Sequence, residues 1–149
     1  MSDIGKDTIT PRLEKIIKEL QNKRIVLSKL GDTAVAEIKD RVQRNHTDVN
    51  GNDMNTDSPY STGYAKRKAK LGASKNVNLT GVGKGDRMMN TLQHMPTGQE
   101  SERVFFANNE EARIASYNQQ LREFFGMSKT LRDRINNLLV KWWRQATGK

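Results

Sequence analysis

Four groups of residues are of types that could do chemistry. The first is Leu79-Thr80-Gly81-Val82-Gly83-Lys84-Gly85, as rich in glycine as loops whose backbone N–H groups cradle phosphates. Its spacing does not fit such a loop: Gly83-Lys84 would need glycine at 78, where Asn78 stands, and Ser or Thr at 85, where Gly85 stands. No run of buried apolar residues precedes it, so a flexible turn accounts for the glycines. The second group, Asp48, Asn50 and Asn52, matches the first three ligand positions of a calcium loop. The sixth position is Asp53 instead of Gly, and the twelfth is Pro59 instead of Glu. A turn closed by Asx side chains explains these residues with fewer assumptions. His46 and His94 are the only histidines, far apart and without a nearby carboxylate pattern, and they read as surface or loop residues. No nucleophile–base–orienter set emerges, so neither enzyme activity nor a cofactor or metal is expected.

The fourth group is basic. Residues 61–90 hold Lys66, Arg67, Lys68, Lys70, Lys75, Lys84 and Arg87 against Asp86 alone. A solvated helix face is one reading. The other is a surface that meets phosphates or an acidic partner, where clustered Lys and Arg release counterions. Tyr60 and Tyr64 are the only aromatics nearby, too few for a dedicated single-strand binder. The whole chain carries 26 Lys and Arg against 17 Asp and Glu, a net charge of +9 that bears on partners and not on fold.

The elements that must position these groups are mostly helical. Thr10-Pro11 reads as a helix start, a hydroxyl cap followed by proline. Leu13, Ile16, Ile17, Leu20, Leu27, Leu30, Ala34, Val35, Ile38 and Val42 form one apolar stripe at helical period. The interruption at Asn22-Lys23-Arg24 leaves either one long helix or two, ending near Arg44-Asn45. Residues 43–78 differ in kind, with only Val49, Leu71 and Val77 from among Leu, Ile, Val and Phe. Within this stretch a short helix is expected over Ser61–Leu71, stopped by Gly72. Asp86–Leu92 reads as another short helix. Arg103–Ala107 and Arg122–Phe125 read as strands, and Glu111–Gln119 as a helix. Ser128 caps a last helix with the stripe Leu131, Ile135, Leu138, Leu139, Trp142 and Trp143, both tryptophans being assigned to the core.

The fold class that results is α+β, one domain over residues 1–149. A small antiparallel sheet from residues 93–126 is packed with the N-terminal and C-terminal amphipathic helices. Residues 1–10 are expected to be a flexible N-terminus, and 43–85 an extended turn-rich loop carrying the short basic helix. Leu, Ile, Val and Phe make up 31 of 149 residues, just above the level at which highly charged chains stay disordered. A chain this poor in core gains stability from neighbours by mass action. The absence of cysteine removes disulfides and thiolate chemistry. Neither a membrane-spanning run nor a signal-peptide core is seen, so the expectation is a protein that stays in the cytoplasm where it is made.

The middle of the chain, read as a series, carries a family pattern. Asp48-Val49-Asn50-Gly51 is followed by Pro59-Tyr60-Ser61, Tyr64, Lys68 and Gly72. Next come Leu79-Thr80-Gly81 and a short helix with Met88, Met89 and Leu92. Then Ala115-Ser116-Tyr117-Asn118-Gln119 leads to Arg122-Glu123-Phe124-Phe125-Gly126-Met127-Ser128 and the terminal helix. Over residues 25–145 this order resembles the virion morphogenesis (tail completion) proteins of tailed bacteriophages. Glu123 replaces a Pro of that pattern, Asn118 replaces a His, and Gly83 to Gly85 widen the Thr-Gly turn. The resemblance implies a non-enzymatic virion protein, made in the host cytoplasm and forming a ring at the neck or tail terminus. Its partners would be copies of itself and other neck or tail proteins, with no membrane. The basic patch Lys66, Arg67, Lys68, Lys70 and Lys75 would face packaged DNA or an acidic ring. Asp48, Gly51, Tyr60, Tyr64, Thr80 and Gly81 would belong to a loop that reaches the next subunit. The alternative is a small basic nucleic-acid-binding accessory protein.

Overall fold

The computed structural model describes residues 9–79 and 88–148. The N-terminal stripe divides into two helices, α1 (Ile9–Gln21) and α2 (Lys23–Gln43), with the break at Asn22. Helix α1 begins one residue before Thr10, which puts Pro11 within the first turn, where its missing N–H leaves no bond unmade. Next come α3 (Met54–Asp57), α4 (Thr62–Lys70), a 3-10 turn (Met88–Thr91), β1 (Leu92–Pro96), β2 (Glu102–Phe106), α5 (Asn109–Leu121) and α6 (Lys129–Thr147). The class is the small α+β fold expected. No described helix is long and apolar enough to cross a membrane.

The sheet is a single antiparallel hairpin among the described residues, with Leu92 opposite Phe106 and Pro96 opposite Glu102. This corrects the expected second strand, because Arg122–Phe125 joins no ladder. Its backbone bonds elsewhere: the Gln119 side chain accepts from Phe125 N at 2.9 Å and donates to Phe125 O at 2.9 Å. One glutamine thus does for that peptide what a neighbouring strand would.

The core gathers Ile38 and Val42 of α2, Met54, Val77, Leu79, Met88, Met89, Leu92, Ala115 and Phe124. Phe106, Phe124 and Phe125 form an aromatic cluster with ring centroids 5.7–6.3 Å apart. The 43–79 stretch is built into the core, since Met54, Val77 and Leu79 are buried in it. Helix α3 anchors Met54: the Asp53 carboxylate accepts from Asn55 N, and Asn55 Oδ1 accepts from Val77 N at 2.8 Å. Of the terminal helices, α2 buries Ala34, Ile38 and Val42 and α6 buries Leu131 and Ala146, whereas Leu13 and Ile17 of α1 stay exposed. The tryptophans also divide, Trp142 half-buried and Trp143 51% exposed, because adjacent helical residues point about 100° apart.

Candidate functional site

Helix α4 begins where Ser61 Oγ accepts from Tyr64 N. Its residues Tyr64, Ala65 and Lys68 fall on one face at helical spacing, and this face turns inward. Lys68, expected in a basic patch, is completely buried. Its Nζ donates to Asn78 Oδ1 at 2.8 Å and lies 4.6 Å from the centre of the Tyr60 ring and 6.0 Å from that of Tyr64. An ammonium taken out of water needs such partners, and the aromatic faces supply electrostatic attraction in addition to the hydrogen bond. Lys66, Arg67 and Lys70 are exposed on the opposite side, and Lys75 is exposed in the turn that follows. The basic face therefore consists of these four.

Arg122 closes the same cluster from the end of α5. Its guanidinium donates to Ser58 O at 2.7 Å, Pro59 O at 3.0 Å and Asn118 Oδ1 at 3.0 Å, and stacks 5.2 Å from the Tyr60 ring centre. Burial pulls its pKa below the ordinary value, with Tyr60 and Tyr117 opposing. The Tyr60 phenol is pushed up by burial, against the Leu79 N–H that donates to it at 2.9 Å. Tyr60 and Tyr64 meet edge to face at 4.9 Å, and Tyr60 links the start of α4 to Arg122 at the end of α5.

The Asp48 turn closes on itself. Asp48 Oδ1 accepts from the backbone N–H of Asn50 and Asn52, Oδ2 accepts from the Asn52 amide, and Gly51 takes a φ of +88°. Burial raises the carboxyl pKa, but these donors outweigh it and the net shift is downward. The turn then lies against the segment after α5, with Val49 N donating to Glu123 O at 2.8 Å. Gly126, at φ +154°, lies where a Cβ would come within 3.2 Å of the Val49 side chain. Thr80, Gly81 and the glycine-rich turn lie outside the described residues.

A buried polar link holds α6 in place. Arg41 Nη1 donates to both Glu37 oxygens at 2.9–3.0 Å, and Nη2 donates to Phe124 O at 2.8 Å. Ser128 donates to Glu37 at 2.7 Å while accepting from Leu131 N, so the cap expected at 128 also serves the buried carboxylate.

His94 is the residue that sequence reasoning misjudged most. Its Nδ1 lies 2.6 Å from Glu102 and its Nε2 2.9 Å from Asp32, so the imidazole bridges two carboxylates. The Glu102 hydrogen bond, against desolvation and with help from Asp32, raises its pKa. The bridge fastens the hairpin to α2 at Gly31, whose missing side chain leaves room for the ring. Because both nitrogens are engaged, neither is available to take a proton from a substrate. His46 is likewise engaged, by Val42 O and the Asn76 amide. Among the described residues, no group of three or more acidic or imidazole side chains could hold a metal ion. Comparison with protein-family models, with curated proteins and with solved structures found no match to this chain.

Proposed function

We propose that this chain is a structural subunit of a tailed-bacteriophage virion, non-enzymatic and present in several copies as a ring at the neck or tail terminus. The observation that carries the reading is that elements of the resembling series, far apart in sequence, are partners in space. The Asp48 turn meets Glu123, Pro59 meets Arg122, and Tyr60 meets Leu79. The described elements of the pattern thus belong to one connected scaffold. A second support is the surface. Among the described residues twelve large hydrophobics are exposed, while ten of comparable size are buried. A chain with that balance gains from being covered by neighbours.

Mass spectrometry and antibody-labelled electron microscopy of purified particles test this directly. The expected result is a fixed, multiple copy number at one end of the tail; complete absence from finished virions refutes the proposal. The exposed cations Lys66, Arg67, Lys70 and Lys75 favour one other reading, a nucleic-acid-binding accessory protein. A log–log salt slope steeper than about −4 in a gel shift, corresponding to roughly four phosphate contacts, would favour it.

A further inference from the structure

The outward face of α4 carries charge and little else. Gly63, Lys66, Arg67 and Lys70 recur at three- and four-residue spacing, opposite the Tyr64–Ala65–Lys68 face that turns inward. Lys75 follows in the turn after the helix, and all four cations are exposed. No Asp or Glu occurs between Ser58 and Leu79. Asp53 and Asp57, just before that stretch, are exposed, so over residues 53–79 four exposed cations stand against two acids. One of these acids is already engaged, since the Asp53 carboxylate accepts from Asn55 N and Thr56 Oγ1. Among the described residues, none of the four cations forms an ion pair. The helix beneath them is held from its inner side, where Lys68 Nζ donates to Asn78 Oδ1 at 2.8 Å. Apolar and aromatic groups are scarce on this surface: Leu71 is the one large hydrophobic exposed between Ser58 and Leu79. A Cβ placed on Gly63 or Gly72 would meet nothing within 4 Å, so the surface is open.

We infer that this face is a contact for the phosphate backbone of double-stranded nucleic acid. The inference deepens the virion reading above by naming what the basic face meets, and it rests on that reading for the source of the duplex. A protein partner, even an acidic one, is the poorer fit, because the buried centre of a protein interface is apolar and depleted of charge. Here Leu71 alone could supply such a centre. Phosphates need none, since counterion release yields affinity from cations by themselves. A single strand is the poorer fit for a different reason. It is gripped by stacking bases on aromatic rings, and Tyr60 and Tyr64 are packed against Lys68 on the inner side. A duplex asks only for cations at a matching interval. Each of its strands offers a phosphate about every 3.4 Å of axis, and Lys66 and Lys70 stand roughly 6 Å apart along α4, within reach of successive phosphates. Contacts to phosphate alone carry no sequence preference.

Fluorescence anisotropy of a short labelled DNA duplex, titrated with the full chain over a range of salt, tests the contact. The native chain is expected to bind with a log–log salt slope of about −3 to −4, as roughly four phosphate contacts give. It should also prefer the duplex to a single strand of the same length. Lys66→Gln, Arg67→Gln, Lys70→Gln and Lys75→Gln combined are expected to weaken binding at least about tenfold at about 0.1 M salt and to bring the slope toward zero. A control chain with Lys15→Gln, Lys18→Gln, Arg132→Gln and Lys141→Gln has the same net charge and is expected to stay within about twofold of native. All eight side chains are exposed, and circular dichroism confirms that both variants are folded. The inference is overturned if the native chain leaves the duplex unbound at low salt, if both variants lose affinity equally, or if the single strand binds as tightly. It is also overturned if polyglutamate competes as well as unlabelled duplex, charge for charge, which would assign the face to an acidic protein. A chain found in virions that fails these tests keeps the virion role and loses the contact. A chain absent from virions that passes them keeps the contact and loses the role.

Discussion

Gly31→Ala should destabilise this protein, although glycine to alanine inside a helix ordinarily stabilises by about 1 kcal/mol. Gly31 lies within α2, and a Cβ there would sit 2.3 Å from His94 Nδ1, 2.6 Å from its Cγ and 3.0 Å from Glu102 Cγ. Ordinary carbon contacts need about 3.5–4.0 Å, so the ring must retreat by more than about 1 Å. It is not free to do so, being held at 2.6 Å by Glu102 and 2.9 Å by Asp32, and hydrogen bonds tolerate only a few tenths of an ångström. At least one of the two bonds breaks. A bond to a charged group contributes about 1.5–3 kcal/mol, and exposure of Asp32 puts its bond at the low end. Set against the helix gain, the net loss is about 1–2 kcal/mol, or roughly 2–8 °C in Tm for a chain of this size. Thermal denaturation of four proteins decides the matter: native, Gly31→Ala, His94→Ala and the double variant. With the ring removed, the Glu102 stem can yield, and Gly31→Ala should become neutral or stabilising. A rise in Tm in the native background, or the same change in both backgrounds, refutes the reasoning.

The imidazole bridge also sets a pH dependence. The folded pKa of His94 is raised above the ordinary 6.5, so the bridge's stabilisation is complete below about pH 6.5 and is lost as pH rises through the folded value. Urea midpoints should fall over that window in the native chain, and the dependence should flatten in His94→Gln; an unchanged slope counts against the bridge. Ser128→Ala removes a helix cap and one donor to buried Glu37, together about 2–3 kcal/mol by urea denaturation, and Ser128→Thr should recover most of it. Lys68→Ala should cost about 2–4 kcal/mol, since it empties a buried site and removes the hydrogen bond to Asn78 Oδ1. Lys66→Gln, Arg67→Gln and Lys70→Gln should each change stability by less than about 0.5 kcal/mol, and jointly should impair particle joining. Equal costs for Lys68 and the other three would show that the inward face of α4 is misassigned.

The sequence reading succeeded where periodicity and capping act locally. The limits of α4, the strand around Arg103 and the Ser128 cap all follow from side chains within a few residues of each other, and the interruption at Asn22, which left one helix or two open, marks the break. It failed where the deciding partner is remote. His94 meets Asp32, 62 residues away, and reaches Glu102 only through a hairpin register that places Val104 opposite it. Gln119 is only six residues before Phe125, but its residue type does not announce that it will satisfy that backbone in place of a strand. Lys68 is a different failure, because its signal was present. Tyr60, Tyr64 and Lys68 recur every four residues, so the lysine belongs on the tyrosine face, away from Lys66, Arg67 and Lys70. Asp53, set aside as a poor calcium ligand, was equally legible as the cap of the turn that buries Met54.

The burial pattern changes the meaning of the sparse core. A low apolar content suggested that the 43–85 stretch would stay open until a neighbour ordered it, yet its described part supplies Met54, Val77, Leu79 and the caged Lys68 to the interior. Most of the exposed apolar surface lies on regular elements, such as Leu13 and Ile17 on α1, Ile114, Tyr117 and Leu121 on α5, and Val140 and Trp143 on α6, with Leu71 and Met127 outside them. Helix faces keep their shape without a partner, because their backbone bonds are internal. Docking through them therefore avoids most of the ordering cost that a loop would incur, about 1–2 kcal/mol for each residue fixed. If the chain assembles with copies of itself, its subunits should meet as preformed surfaces, and backbone amide exchange in 43–79 should change little on assembly while one or more of the exposed helices α1, α5 and α6 become protected.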